Sequence, residues 1–226
     1  MRVQLSEITE IQLDTSGKLA AWISCPPEAV PAPGQYLISI DGESISPIPL
    51  FLGKRGDNGF LAAPPVPPDW TPGTRLQMRG PLGKGFQIQT SAQKLAFVAM
   101  ADTSARRLPL ASQALQEDRS VALFADVPLP PIPLALEAHP LSALPEFISW
   151  ADFLAVDLRM QALPRLRETF GLAPQEYLPC QGQALVLAPM PCGTLADCGV
   201  CALKIRNTWK LACKDGPVFN LNDLEW

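Results

Sequence analysis

"PCGTLADCGVCALKIRNTWKLACKDGPVF", residues 191–219, gathers four of the chain's six cysteines into one short stretch. Disulfides, a zinc site or an iron–sulfur cluster would each demand a different molecule around it. The opening MRVQLSEITEIQLD carries charges throughout and lacks the apolar core and small-residue cleavage site of a secretory signal. No uninterrupted apolar run of about 18 residues occurs, so no membrane span is expected. The chain reads as cytoplasmic. Thiols there stay reduced, and clustered cysteines are metal ligands or redox groups rather than bridges.

Spacing narrows the choice. Cys192, Cys198 and Cys201 stand as C-x5-C-x2-C, and eleven residues intervene before Cys213. Thiolates are soft, so a four-sulfur set selects zinc or iron–sulfur over hard cations. Zinc sites are usually two C-x2-4-C knuckles, and only Cys198 and Cys201 have that spacing. Plant-type [2Fe–2S] proteins use C-x4-C-x2-C with a distant fourth cysteine. Here the first gap is one residue longer and the fourth ligand is nearer. Gly193 and Gly199 directly follow cysteines, where φ > 0 turns would aim backbone N–H groups at sulfur. The pattern favours an iron–sulfur cluster on Cys192, Cys198, Cys201 and Cys213. Cys25, beside Pro26 and Pro27, and Cys180 read as plain thiols.

The rest of the chain must build a scaffold for that cluster. Its 226 residues suit one large or two modest domains, and 47% apolar content is enough for real cores. A net charge of −4 and the absence of a basic run exclude a nucleic-acid face. The 25 prolines bar helix or central strand from SCPPEAVPAPG and APPVPPDWTPG, which read as stiff connectors. Between them RVQLSEITEIQL, KLAAWISC, GQYLISID, IPLFLG, GFLAA, TRLQMRG and GFQIQT are short strand-like runs punctuated by turn residues. Residues 1–91 are therefore expected to form a small antiparallel β-barrel.

Residues 92–178 change character. KLAFVAM, SVALFAD and ADFLAVD are continuous apolar runs of the buried parallel type. SARRLPLASQALQED and MQALPRLRETFG read as helices, giving a small α/β unit. The six prolines of VPLPPIPLALEAHPLSALPEF imply a remodelled crossover. Residues 179–226 form a cysteine-rich module, either a third unit or an appendage of the α/β part. His139, the single histidine, has no catalytic partner placed by motif and reads as structural. Trp209 is expected to pack over the cluster, and the terminal NDLEW to close the module or meet a partner.

MPCGTLADCGVC…ACKDGPVF resembles the C-terminus of the electron-transfer subunit of class 1B dihydroorotate dehydrogenase. Met190, Cys192, Gly193, Cys198, Cys201, Cys213 and the run Asp215-Gly216-Pro217-Val218-Phe219 all match that pattern. PGQYLISID and PGTRLQMRGPLGKGFQI (72–88) resemble the family's barrel segments. The resemblance implies a ferredoxin-reductase-like fold: a FAD-binding barrel, a nucleotide-binding α/β domain and a C-terminal [2Fe–2S] module. It further implies electrons passing from NADH through FAD and the cluster to a larger redox subunit resembling dihydroorotate dehydrogenase, in a hetero-oligomer. Gly73 and Thr74 match a family FAD contact.

Three positions depart from the family. Its R-P-I-S reads Ser46-Pro47-Ile48-Pro49, losing a forked phosphate donor. Arg75 and Lys84 are substitutes only if they are not simply solvated. Its glycine-rich turn G-G-G-x-G-x-x-P reads AMADTSARRLP, so Cβ atoms fill the space of a pyrophosphate. Arg106 and Arg107 are expected on an exposed helix face. Its C-G-P reads Val156-Asp157-Leu158, where a carboxylate would repel phosphate. The expectation is an electron carrier that has lost NADH oxidation. The rival readings are an active NAD(P)H-oxidising FAD/[2Fe–2S] reductase subunit and a non-catalytic zinc-binding structural subunit.

Overall fold

Alternation of apolar and polar residues builds six strands that close on themselves in the computed structural model, which describes residues 3–42 and 46–226. They are β1 (Val3–Leu13), β2 (Leu19–Ser24), β3 (Tyr36–Asp41), β4 (Ile48–Gly56), β5 (Gly59–Ala62) and β6 (Arg75–Leu82). Their order around the barrel is β1-β2-β5-β4-β3-β6, and every pairing is antiparallel. Arg2, first residue of the leading strand-like run, lies outside the described residues. Period two along each strand sends Ile8, Ile23, Leu37, Leu50 and Met78 inward. The neighbouring Tyr36, Ile38 and Phe51 point outward, yet they too are buried, because the second layer covers that side. The seventh run, GFQIQT, makes no strand. It crosses between the layers, with the Gln87 N–H donating to Gln183 Oε1 at 2.8 Å.

The second layer is a sheet of order β14-β11-β10-β7-β8-β9. β7 (Lys94–Ala99) leads through helix α1 (Leu108–Gln116) to β8 (Ser120–Ala125). Pro109 sits in the first turn of α1, where a missing N–H costs nothing. The proline-rich crossover supplies a short strand, β9 (Leu136–His139), before β10 (Phe153–Arg159). Five strands run parallel, and β7, β8 and β10 are apolar because both faces are covered. MQALPRLRETFG is helical in two pieces, a 3₁₀ segment Met160–Arg165 and a turn of α-helix Leu166–Thr169.

The cysteine-rich segment proves to be an appendage of this sheet. β11 (Gln181–Leu187) pairs parallel with β10. The chain then loops through the cysteines and a hairpin, β12 (Ala202–Ile205) and β13 (Thr208–Leu211). It returns as β14 (Val218–Asn220), antiparallel to β11. A boundary at residue 178 therefore cuts through hydrogen-bonded neighbours. Trp226 closes the end: its Nε1–H donates to Leu221 O at 2.7 Å and its ring meets Phe170 edge-on at 5.5 Å. His139 packs between Phe124 and Phe147, with ring centroids 5.4 and 4.5 Å away. Among the described residues no helix is long and apolar enough to cross a membrane.

Candidate cluster site and interdomain cleft

The two stretches that carry the family resemblance meet in space. At Gly83 (φ +73°) an added Cβ would lie 2.5 Å from Pro217 Cδ and 2.7 Å from Gly216 O. Only glycine allows that approach in a left-handed turn. The Lys84 N–H donates to Gly216 O at 2.6 Å. GPLGKGF is thus the barrel's docking turn for the DGPVF ending. Beside it the Tyr36 hydroxyl donates to Cys213 O at 2.7 Å, with its ring 5.8 Å from Phe51. Arg79 Nη2–H donates to Thr194 Oγ1 at 2.6 Å. Pro47 packs on Gly193, at φ +54° and without room for a side chain. Tyr36, Pro47 and Arg79 therefore hold the cysteine segment to the barrel.

The thiols stand as two pairs. Cys201 Sγ and Cys213 Sγ lie 3.3 Å apart and buried. Cys192 is half-buried, hydrogen-bonded to the exposed Cys198 side chain and 3.3 Å from Ala196 O. Backbone hydrogen bonding at Ala196 is the main reason the Cys192 thiol sits below its ordinary range. Contacts at Thr194 and Cys198 add to it against the opposing effect of burial. Burial, then the Cys201 neighbour, pushes Cys213 up to about 12. A buried thiol pair of this kind becomes thiolate only when a cation shares the space. Among the described residues no three His, Cys, Asp or Glu groups converge on one metal position. Two cysteine pairs suit a dinuclear centre, in which each iron takes two thiolates, better than a single tetrahedral zinc.

Other expected features fall elsewhere. Trp209 does not pack over the cysteines: it is 69% exposed on β13, because the two-stranded hairpin has no second layer above it. Cys25 lies in the barrel core, and burial pushes its thiol up to about 11. Cys180 is also pushed up to about 11, first by burial. Gly73 and Thr74 form the turn before β6. The Gly73 N–H donates to Ile8 O at 2.8 Å, and Thr74 O accepts from the Ile8 N–H at 3.0 Å. This turn is five residues from Arg79, about 17 Å along an extended strand. Arg75 and Lys84 are exposed.

The largest change from expectation is in the turn after β7. Arg106 and Arg107 are buried, not displayed on a helix face. Arg106 Nε–H donates to Asp157 Oδ2 at 2.7 Å, and its Nη1–H to Pro64 O at 2.9 Å. Asp157 is fully buried and balanced by this guanidinium, so it does not act as a free repulsive charge. Arg107 stacks 4.4 Å from the centroid of Phe86. Burial pushes its pKa down to about 10, with Asp157 opposing. Its three guanidinium nitrogens find no hydrogen-bond partner among the described residues, so the stack and the Asp157 field offset its desolvation. The same turn is tied to the barrel elsewhere. Thr103 Oγ1–H donates to Asp14 Oδ2 at 3.2 Å, and Lys18 Nζ–H donates to Asp102 O. Asp102 pairs with Arg159.

These groups cluster between β7 and β10, where the strand order reverses and open α/β sheets usually take ligands. Beside them lies a cleft of about 980 Å³ between barrel and α1. Its lining includes Leu52, Lys54, Arg55, Thr103, Ser104 and Ile132. Sequence reasoning did not single out Lys54 or Arg55. Two adjacent cations at the end of an apolar strand run were the only available signal.

Residues 188–225 match the family model described as "Iron-sulfur cluster binding domain of dihydroorotate dehydrogenase B". No curated protein matches the chain. Among solved structures, an NADH-dependent reduced ferredoxin–NADP oxidoreductase is 18% identical, covering 99% of this chain and 90% of its own, with a TM-score of 0.78. A ferredoxin NADP+ reductase from Neisseria gonorrhoeae with bound FAD and NADP is 12% identical, with 82% and 99% coverage and a TM-score of 0.55. Phthalate dioxygenase reductase is 14% identical, with 76% and 65% coverage and a TM-score of 0.52. The fold is that of the ferredoxin reductases.

Proposed function

We propose that the chain is a divergent member of the dihydroorotate dehydrogenase B electron-transfer subunit family. It acts as a one-electron carrier with a [2Fe–2S] cluster on Cys192, Cys198, Cys201 and Cys213, and it no longer oxidises NADH. The observation that carries this reading is the gathering of four thiols into two pairs, inside the segment that matches the iron–sulfur family model. The cluster, when bound, supplies reversible uptake of single electrons. This chain's residues do the rest. Gly193 and Gly199 turn the backbone around the thiols. Tyr36, Arg79 and Pro47 hold the loop to the barrel. The buried Cys201–Cys213 pair faces the protein, and the exposed Cys198 faces outward, toward an electron partner.

The residues present also fit FAD, though not at the family's arginine position. Ser46 and Pro49 offer no charged fork. The interdomain cleft, in contrast, has the volume of a cofactor pocket. Lys54 and Arg55 offer the cationic groups a pyrophosphate needs. Gly73 and Thr74 stand apart from this cleft and would serve only a flavin lying along that end of the barrel. The nicotinamide side is where function is lost. The Arg106–Asp157 pair and the glycine-free turn fill the crevice with the protein's own side chains. The partner is a larger flavin-containing redox subunit, docked where Cys198 reaches the surface.

Anaerobic purification with iron, sulfide and flavin analysis, followed by NADH addition, tests this reading. Two irons and two sulfides per chain, on the order expected for one cluster, with no bleaching by NADH, are the expected result. Rapid NADH-dependent reduction would restore the active reductase reading. A colourless protein with stoichiometric zinc would replace the cluster altogether.

A further inference from the structure

We infer that Arg79 is a built-in positive charge of the cysteine site, positioning its loop and raising the readiness of the bound cluster to accept an electron. The inference rests on the proposed cluster. Arg79 leaves β6 on the outer barrel face and is 9% exposed. Its Nη2–H donates to Thr194 Oγ1 at 2.6 Å, two residues after Cys192. Its Nε–H finds no hydrogen-bond partner, and the side chain no salt bridge, among the described residues. A guanidinium cannot shed its proton to escape burial. Such a cation is tolerated where opposite charge lies close by, and the thiolates of the loaded site would provide it. The Tyr36 hydroxyl, on the same outer barrel face, donates to Cys213 O at 2.7 Å, so the loop is held beside Arg79 at both ends.

Cross-strand register adds a second observation. Arg79 pairs with Ile38 of β3, and Ile38 Cγ2 would lie 3.5 Å from a Cβ added at Gly193, the residue after Cys192. Four thiolates make a [2Fe–2S] centre net negative, and reduction by one electron makes it more so. A fixed cation therefore favours the reduced form more than the oxidised one.

Potentiometric titration of the reconstituted full chain with dithionite, followed by electron paramagnetic resonance, tests this. Arg79→Gln is expected to lower the reduced-to-oxidised ratio at a fixed potential about tenfold, which is about 59 mV for one electron. Arg79→Lys should keep most of the potential. Thr194→Val, which removes the hydrogen bond and leaves the charge, should stay near the parent protein. Iron and sulfide content are measured for each. An unmoved potential in Arg79→Gln overturns the inference, as does an equal shift in Thr194→Val. If Arg79→Gln fails to retain iron, Arg79→Lys and Thr194→Val decide: a parent-like potential in both supports the charge, and a shift in Thr194→Val refutes it. A parent protein that binds no iron overturns the cluster reading first, and this inference with it.

Discussion

The cysteine loop and the turn after β7 both contact the barrel, and they use their residues in opposite ways. In the loop, small residues keep the backbone close: Gly83 against Pro217 and Gly193 against Pro47. Space is reserved around four sulfurs. The turn holds no glycine, and the side chains of Asp102, Thr103, Arg106 and Arg107 each contact the protein itself. The difference is one of what fills the space: a backbone left bare around soft atoms in the loop, charged side chains with internal partners in the turn.

The sharpest way to break this contrast is at the sulfurs. Cys213→Ser should abolish stable cluster retention, seen as iron and sulfide falling to background after reconstitution. The far side of the comparison breaks next. Removing one member of the Arg106–Asp157 pair, as in Arg106→Ala, leaves a fully buried carboxylate alone. It should cost about 3–5 kcal/mol in denaturant unfolding. Replacing both by apolar residues, Arg106→Met with Asp157→Leu, should recover only part of that loss, because buried Arg107 then loses the Asp157 charge. If the single variant is as stable as the parent, the turn is not sealed by the pair.

A smaller effect is expected at the docking turn. Gly83→Ala forces a Cβ into Pro217 in a left-handed conformation and should destabilise by about 1–3 kcal/mol. It should also loosen cluster retention. Measuring iron loss against unfolding separates the two. The smallest effect belongs to Asp102. The Arg159 hydrogen bond holds its carboxyl below the usual carboxylate range. A depressed folded-state pKa gives stability that is present above the unfolded value and fades as pH falls through the folded one. Stability should therefore decline below about pH 4, and less steeply in Asp102→Asn. Identical acid limbs in the two proteins would remove Asp102 from the interdomain tie.

Much of this was legible before any coordinates. The strand runs of the barrel and the parallel strands β7, β8 and β10 announce themselves through apolar period and turn residues, which are local. GFQIQT was misread because its alternation is real but its partners are across the layer boundary, at Gln183 and Pro33. The short β9 hides among prolines. Arg106 and Arg107 looked solvent-facing because two adjacent arginines before a helix usually are. Nothing nearby in sequence hints at Asp157 or Phe86.

By itself, the sequence determined the proposed ligand set, since cysteine chemistry and spacing within one loop are properties of a short segment. It also determined the barrel-then-sheet order, because strand periodicity needs no distant partner. Only the tertiary structure decided which charges are buried, which pair of thiols faces inward, and that Tyr36 and Arg79 belong to the cysteine site. Those outcomes depend on contacts between residues more than a hundred positions apart, Tyr36 with Cys213 and Arg79 with Thr194. Burial energy is set where the two layers close on each other, and no single segment carries that information.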